Sequence, residues 1–138
     1  MEVRIEHRST DLKERTKRFA LRVMKVVRAL PPGIEGRVIG KQLLRSGLSV
    51  AANYRAVCRA RSKAEFLAKL SIVIEEADES AFWLEMLVDA GLIPEKKLGD
   101  LKCEANQLVA IFNASRTTAK KRASSSTINI QQSALQEK

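Results

Sequence analysis

QLLRSGLSVAANYRAVCRARSKAEFLAKLSIVIEEADESAFWLEML, residues 42–87, reads as the end of one long helix, a very short turn and most of a second. Ser62 marks the turn. With Glu65 three residues later it has the spacing of a capping box, in which the two side chains satisfy free backbone donors reciprocally. So short a connection predicts that the two helices lie antiparallel. The same stretch holds a line of small polar residues, a cluster of arginines, an acidic patch and the only tryptophan.

The rest of the chain is read outward from this pair. Residues 1–10 are a polar leader. Thr10 or Asp11 can cap a first helix over about 11–30, with Glu14 in the first turn, where negative charge suits the helix dipole. Leu12, Phe19, Val23, Val26 and Leu30 make one narrow apolar stripe. Pro31-Pro32-Gly33 stops that helix, because proline lacks a donor and disfavours helical geometry before it.

The second helix is expected over about 34–61, with Ile39, Leu43, Gly47, Val50, Tyr54 and Val57 on its core face. Gly40 and Gly47 weaken helix propensity by roughly 1 kcal/mol each relative to alanine. Together with Ala51 they suggest a neighbouring helix at close range. A further line, Gln42, Ser46, Ser49 and Asn53, reads either as a solvated flank or as a helix–helix hydrogen-bonding seam.

The third helix, about 63–90, buries Phe66, Leu70, Val73, Ala77, Leu84 and Leu87/Val88, and Gly91 is placed for a C-terminal cap. Ile72, Trp83 and Met86 lie about 100° around from that face at ~3.6 residues per turn, beside Glu75, Glu76 and Glu79. A tryptophan with apolar neighbours on a second face points to an oligomer interface; a core broad enough to take Trp83 inside is the other reading. Pro94 starts a fourth helix over about 94–122, with Leu98, Leu101, Ala105, Leu108 and Phe112 on its stripe. Residues 123–138, rich in serine and glutamine, are expected to be a disordered tail. Four amphipathic helices over residues 11–122 define an all-α chain, simplest as an antiparallel up-down-up-down four-helix bundle.

Composition narrows the function. At 138 residues the chain is one domain. No apolar run follows Met1, and no long uncharged stretch exists, so neither export nor a membrane span is expected and the cytoplasm is the predicted location. Cys58 and Cys103 stand far apart, which favours free thiols over a single disulfide.

No enzyme is expected. His7 is the only histidine and lies in the leader, so a histidine-dependent triad or metal site in the bundle has no candidate. Glu75, Glu76 and Glu79 lack the histidine partner of a di-iron bundle, no glycine-rich phosphate loop is present, and no cofactor is implied. By contrast, 25 basic against 16 acidic residues give a formal charge of +9 and a pI near 9.9, which points to a polyanionic partner. From Glu65 to Asp89 the only base is Lys69, so the excess lies on the other helices. Arg15, Arg18, Arg22 and Lys25 form a stripe on the first helix, and Arg37, Lys41, Arg55 and Arg59 add charge on the second. These eight are the candidate nucleic-acid-binding residues. With few aromatics to stack bases, they would read backbone and shape more than base sequence. The rival expectation is an adaptor oligomer whose basic faces match Glu75, Glu76 and Glu79 of neighbouring subunits.

The pattern Gln42-Leu43-x-Arg45-Ser46-x-x-Ser49-Val50-x-x-Asn53, with EEADESAFWLEML after it, resembles the four-helix-bundle family named for reading frames inside intervening sequences of 23S rRNA genes. That superfamily looks to include the accessory variability protein of diversity-generating retroelements. The resemblance spans about residues 11–115. Many members continue the pattern with Ala-Glu-Gly after an apolar residue, where this chain has Arg55-Ala56-Val57 after Tyr54. Many also carry Gly-Ser on the third helix where this chain has Glu79-Ser80, so it looks like a distinct branch. The resemblance implies a bundle that assembles as a ring-shaped homopentamer, without catalytic residues. It also implies a nucleic-acid partner, RNA or DNA, and a reverse transcriptase as a possible second one.

Overall fold

A computed structural model describes the backbone of residues 2–136 and the side chains of residues 11–122. Four helices follow one another: α1 (Glu2–Arg28), α2 (Ile34–Val57), α3 (Lys63–Asp89) and α4 (Glu95–Gln136). No strand occurs among the described residues.

The junctions follow from local chemistry. After α1, Ala29 and Leu30 donate back to Val26 and Val27 at 3.0 and 3.3 Å. Pro31 and Pro32 end the series. Gly33 then takes φ +144°, a region that side chains disfavour. The expected end of α2 at Arg61 is corrected to Val57. Arg59 and Ala60 turn to i→i−3 bonds with Ala56 and Val57, both 3.1 Å, so the helix tightens into a turn four residues early. Ser62 caps α3, its Oγ accepting from the Glu65 N–H at 3.0 Å. The Glu65 carboxylate reaches back one residue further than a capping box requires, accepting from Arg61 N–H at 3.2 Å. At the other end Gly91 adopts φ +73°. Its N–H reaches Val88 at 3.0 Å while Leu92 N–H reaches Leu87 at 3.0 Å, which satisfies the last carbonyls of α3.

The backbones of α1 and α4 run past the bounds of 11 and 122 expected for the bundle. Neither 2–10 nor 123–136 contains a glycine or proline to interrupt a helix. Residues 1, 137 and 138 lie outside the described residues, as do the side chains of the leader and tail.

α2 packs along α1 and α3, and α3 along α4, whereas α1 and α4 touch in few places. The buried set contains Phe19 and Val23 of α1, Leu43, Val50, Tyr54 and Val57 of α2, Leu70, Val73, Ala77, Leu84 and Leu87 of α3, and Leu98, Leu101, Ala105, Leu108 and Phe112 of α4. Tyr54 and Phe112 join α2 to α4 across it, ring centroids 5.3 Å apart. The stripes read from periodicity are therefore the core, with Leu12, Val26, Leu30, Ile39, Phe66 and Val88 packed on its margin.

The glycines of α2 set its distance from α1. A Cβ on Gly47 would lie 2.8 Å from Val23 Cγ1, and one on Gly40 would lie 2.8 Å from Leu30 Cδ1. Gly36 faces the Pro31 carbonyl in the same way, at 3.0 Å. Ascending positions on α2 thus meet descending positions on α1.

Candidate interaction surfaces

The polar line on α2 divides. Ser46 is fully buried and meets the equally buried Ser80 of α3, Oγ to Oγ at 2.9 Å. Leu43 O lies 3.2 Å from Ser46 Oγ and Glu76 O lies 2.8 Å from Ser80 Oγ. Two protons therefore have an acceptor in either direction round the pair, and no described buried side-chain polar atom is left unpartnered. Gln42, Ser49 and Asn53 are half-buried; Asn53 donates to Ser49 O at 2.9 Å. The seam reading holds at Ser46, and the flank reading suits its neighbours.

Beside Ser46, Arg45 spans to α3. Its guanidinium reaches Glu76 at 3.1 Å and Glu79 at 2.5 Å. Glu79 also accepts from the Trp83 indole N–H at 3.2 Å. The hydrogen bond from Arg45, then that from Trp83, hold the Glu79 carboxyl below its ordinary range against the opposing effect of desolvation. The Arg45 guanidinium is raised, chiefly by the same bond to Glu79.

This network changes the picture of the outward face of α3. Trp83 and Met86 are half-buried, and Trp83 packs against the core of its own chain. Glu76 and Glu79 are engaged within the chain, while Glu75 faces solvent. Ile72 is exposed, as expected, and so is Phe82 at 49%, whose ring meets Trp83 edge-on with centroids 4.9 Å apart. The other strongly exposed apolar side chains include Ile34 at 70% and Val38 at 55%, at the start of α2. Phe82, Ile34 and Val38 were not among the predicted interface residues. Three consecutive apolar residues, Phe82, Trp83 and Leu84, point in three directions, and spacing alone did not select which faces outward.

Of the eight predicted basic residues, one is held by an acid of its own chain and seven are exposed. Arg15 is committed to α4: its guanidinium holds Glu104 at 2.6 Å and Gln107 at 2.7 Å. The hydrogen bond to Glu104 raises Arg15 above its ordinary value, against desolvation, with further attraction from Glu104 and Asp11. Arg18, Arg22, Lys25, Arg37, Lys41, Arg55 and Arg59 are all exposed.

Two open grooves of about 470 Å³ each take in five of the eight, while Lys25, Arg37 and Lys41 line neither. One lies between α1 and α4, lined by Arg15, Arg18, Phe19, Arg22, Glu104 and Gln107. The other lies between α1 and α2: Lys13, Glu14 and Lys17 form one wall, Arg55 and Arg59 the other, with Ala51 and Ala52 between. Lys13 and Lys17 were not picked out from the sequence, although their four-residue spacing was the available signal.

Among the described residues no group of three or more histidine, cysteine, aspartate or glutamate side chains could hold a metal ion, and no helix is long and apolar enough to cross a membrane. His7 lies outside the residues whose side chains are described. Cys58, half-buried, and Cys103, exposed, form no disulfide.

Four packed helices with a buried serine pair between α2 and α3 define a small all-helical protein. Residues 8–114 match the family described as 23S rRNA-intervening sequence protein, and the chain belongs to that family. It is similar to the crystal structure of a protein with unknown function from the S23 ribosomal protein family of Bacteroides thetaiotaomicron. The two share 30% identity over 75% of this chain and 95% of that one, with a TM-score of 0.70. No curated protein matches it.

Proposed function

We propose that this chain is a non-enzymatic, basic helical bundle of the cytoplasm that assembles with copies of itself and binds RNA or DNA through backbone phosphates. The observation that carries the reading is the set of uncommitted cations. Arg18, Arg22, Lys25, Arg37, Lys41, Arg55 and Arg59 are exposed, and the ion pairs among the described residues use Arg15, Arg45 and Lys69 instead. Exposed cations with no ion-pair partner among the described residues are available to displace counterions from a polyanion. The family resemblance supports the choice of a nucleic acid, and within it a ring-shaped pentamer and a reverse transcriptase as partner belong to the same proposal.

The glycine contacts of α2 run in opposite sequence directions along α1 and α2, which supports an antiparallel course for that pair and fits an up-down-up-down bundle. Exposed Ile34, Val38, Ile72 and Phe82 supply the apolar surface for self-association. The adaptor reading needed Glu75, Glu76 and Glu79 for neighbouring subunits; Arg45 holds Glu76 and Glu79 within the chain, which leaves that reading Glu75 and the exposed Asp78, Glu85 and Asp89 of α3.

A mobility-shift titration against unrelated duplex RNA, duplex DNA and single strands at low salt tests the reading. Binding to all of them is expected. Absence of any shift at low salt defeats it.

A further inference from the structure

We infer that the groove between α1 and α2, walled by Lys13 and Lys17 on one side and Arg55 and Arg59 on the other, is the track for a phosphodiester backbone with its bases turned outward. This rests on the nucleic-acid reading above and goes on to assign its site. Three observations converge on the groove. Its cations come from two helices, so they flank a ligand instead of lining one side of it. None of the four has an ion-pair or side-chain hydrogen-bond partner among the described residues, and Glu14 is the single acid among the described lining residues. Between the walls stand Ala51 and Ala52, which leave room for a chain to approach the helix surface.

Spacing adds to this. Four residues of helix rise about 6 Å, so each wall presents two charges at roughly the interval of successive phosphates along a strand. No aromatic side chain is among the described residues lining the groove, so they offer none of the stacking platform that single-strand readers use. The ligand is thus held by its charge and shape, not by its bases.

The α1–α4 groove is the weaker site. Its cations, Arg15, Arg18 and Arg22, all come from α1, and the Glu104 carboxylate sits among them, hydrogen-bonded by Arg15. An incoming phosphate would meet that carboxylate and would have to compete for Arg15.

The test compares three paired variants of the full chain: K13Q/K17Q, R55Q/R59Q and, as the control, K96Q/K97Q at the start of α4, which line neither groove. All six positions are exposed, so circular dichroism should report an unchanged fold. Binding of a labelled duplex RNA is followed by fluorescence anisotropy over a salt series. Each groove pair is expected to weaken binding by about 10-fold or more and to lower the salt slope by about 2, while the control changes affinity by less than about 3-fold. An abasic strand should compete as well as a base-bearing strand of equal length. Equal losses from all three pairs would overturn the groove and leave the nucleic-acid reading standing. Failure of the unaltered protein to bind would defeat that reading itself. Loss of competition by the abasic strand, or displacement by polyglutamate at equal charge concentration, would overturn the assignment to a phosphate backbone.

Discussion

Ser46 of α2 and Ser80 of α3 share a hydrogen bond of 2.9 Å at the centre of the helix pair, and neither is exposed to solvent. Arg45 and Glu79, each one residue before a member of that pair, meet at 2.5 Å nearer the surface. The pattern that carries the family resemblance on α2 therefore finds its partners in the acidic stretch of α3.

Either serine can be removed without stranding the other, because Leu43 O and Glu76 O remain as acceptors. Ser46→Ala and Ser80→Ala should each destabilise by about 1 kcal/mol. The double variant should cost less than the sum, since the second substitution no longer breaks the shared bond. Urea denaturation of the four proteins measures the coupling, and strict additivity would speak against a shared bond.

Gly47→Ala places a Cβ within 2.9 Å of both Val23 methyl carbons, and Val23 is fully buried. Overpacking of this kind should destabilise by about 1–3 kcal/mol. Gly40→Ala should be milder, because it meets the far end of Leu30, a half-buried side chain with room to rotate. Gly99→Ala in α4 meets nothing within 4 Å and should stabilise by roughly 0.5–1 kcal/mol. Thermal melts of the three variants rank them directly.

The Glu79 carboxyl titrates below its ordinary range in the folded chain, chiefly through its bond from Arg45. A depressed carboxylate contributes stability that is present above its unfolded value of about 4.3. That contribution is lost as pH falls through the lower, folded value. Trp83 is the only tryptophan and donates to Glu79, so its fluorescence reports the event. An acid transition in emission with a midpoint below ~4.3 is expected, and Glu79→Gln should abolish it. Persistence of the transition in Glu79→Gln would assign it elsewhere.

How much of this was legible beforehand differs from helix to helix. On α2 and α4 the apolar period is clean, and Leu43, Gly47, Val50, Tyr54 and Val57, like Leu98 through Phe112, are buried where spacing placed them. The junctions at Pro31–Gly33, Ser62 and Gly91 were legible because each depends on one residue's own geometry. The end of α2 was not: no glycine or proline marks Val57. α3 is apolar on more than one side, so spacing alone could not separate half-buried Trp83 from exposed Phe82. Charge pairing was the least legible. Arg15 finds Glu104 a distance of 89 positions away, a meeting that depends on which helices are neighbours and at what height. Of the basic residues read from the first two helices, Arg15, Arg18, Arg22, Arg55 and Arg59 line two grooves with different walls, a division that depends on the same packing.

Self-association should depend on the exposed apolar side chains more than on Trp83. Phe82→Lys combined with Val38→Lys is expected to shift the chain to a smaller species in light scattering while the helical signal is kept. Trp83→Ala should instead lower thermal stability, because that ring packs on its own core. An oligomer unaffected by the double lysine variant would place the contact on another face.

The most direct measurement of the central claim is the dependence of affinity for duplex DNA on salt concentration. Neutralisation of four phosphates by the two walls of one groove predicts a log–log slope of about −3.6, at roughly −0.9 per contact. A steeper slope would mean that further cations, such as Arg18 and Arg22, take part. Affinity that does not fall with added salt, or no affinity at low salt, would contradict the account.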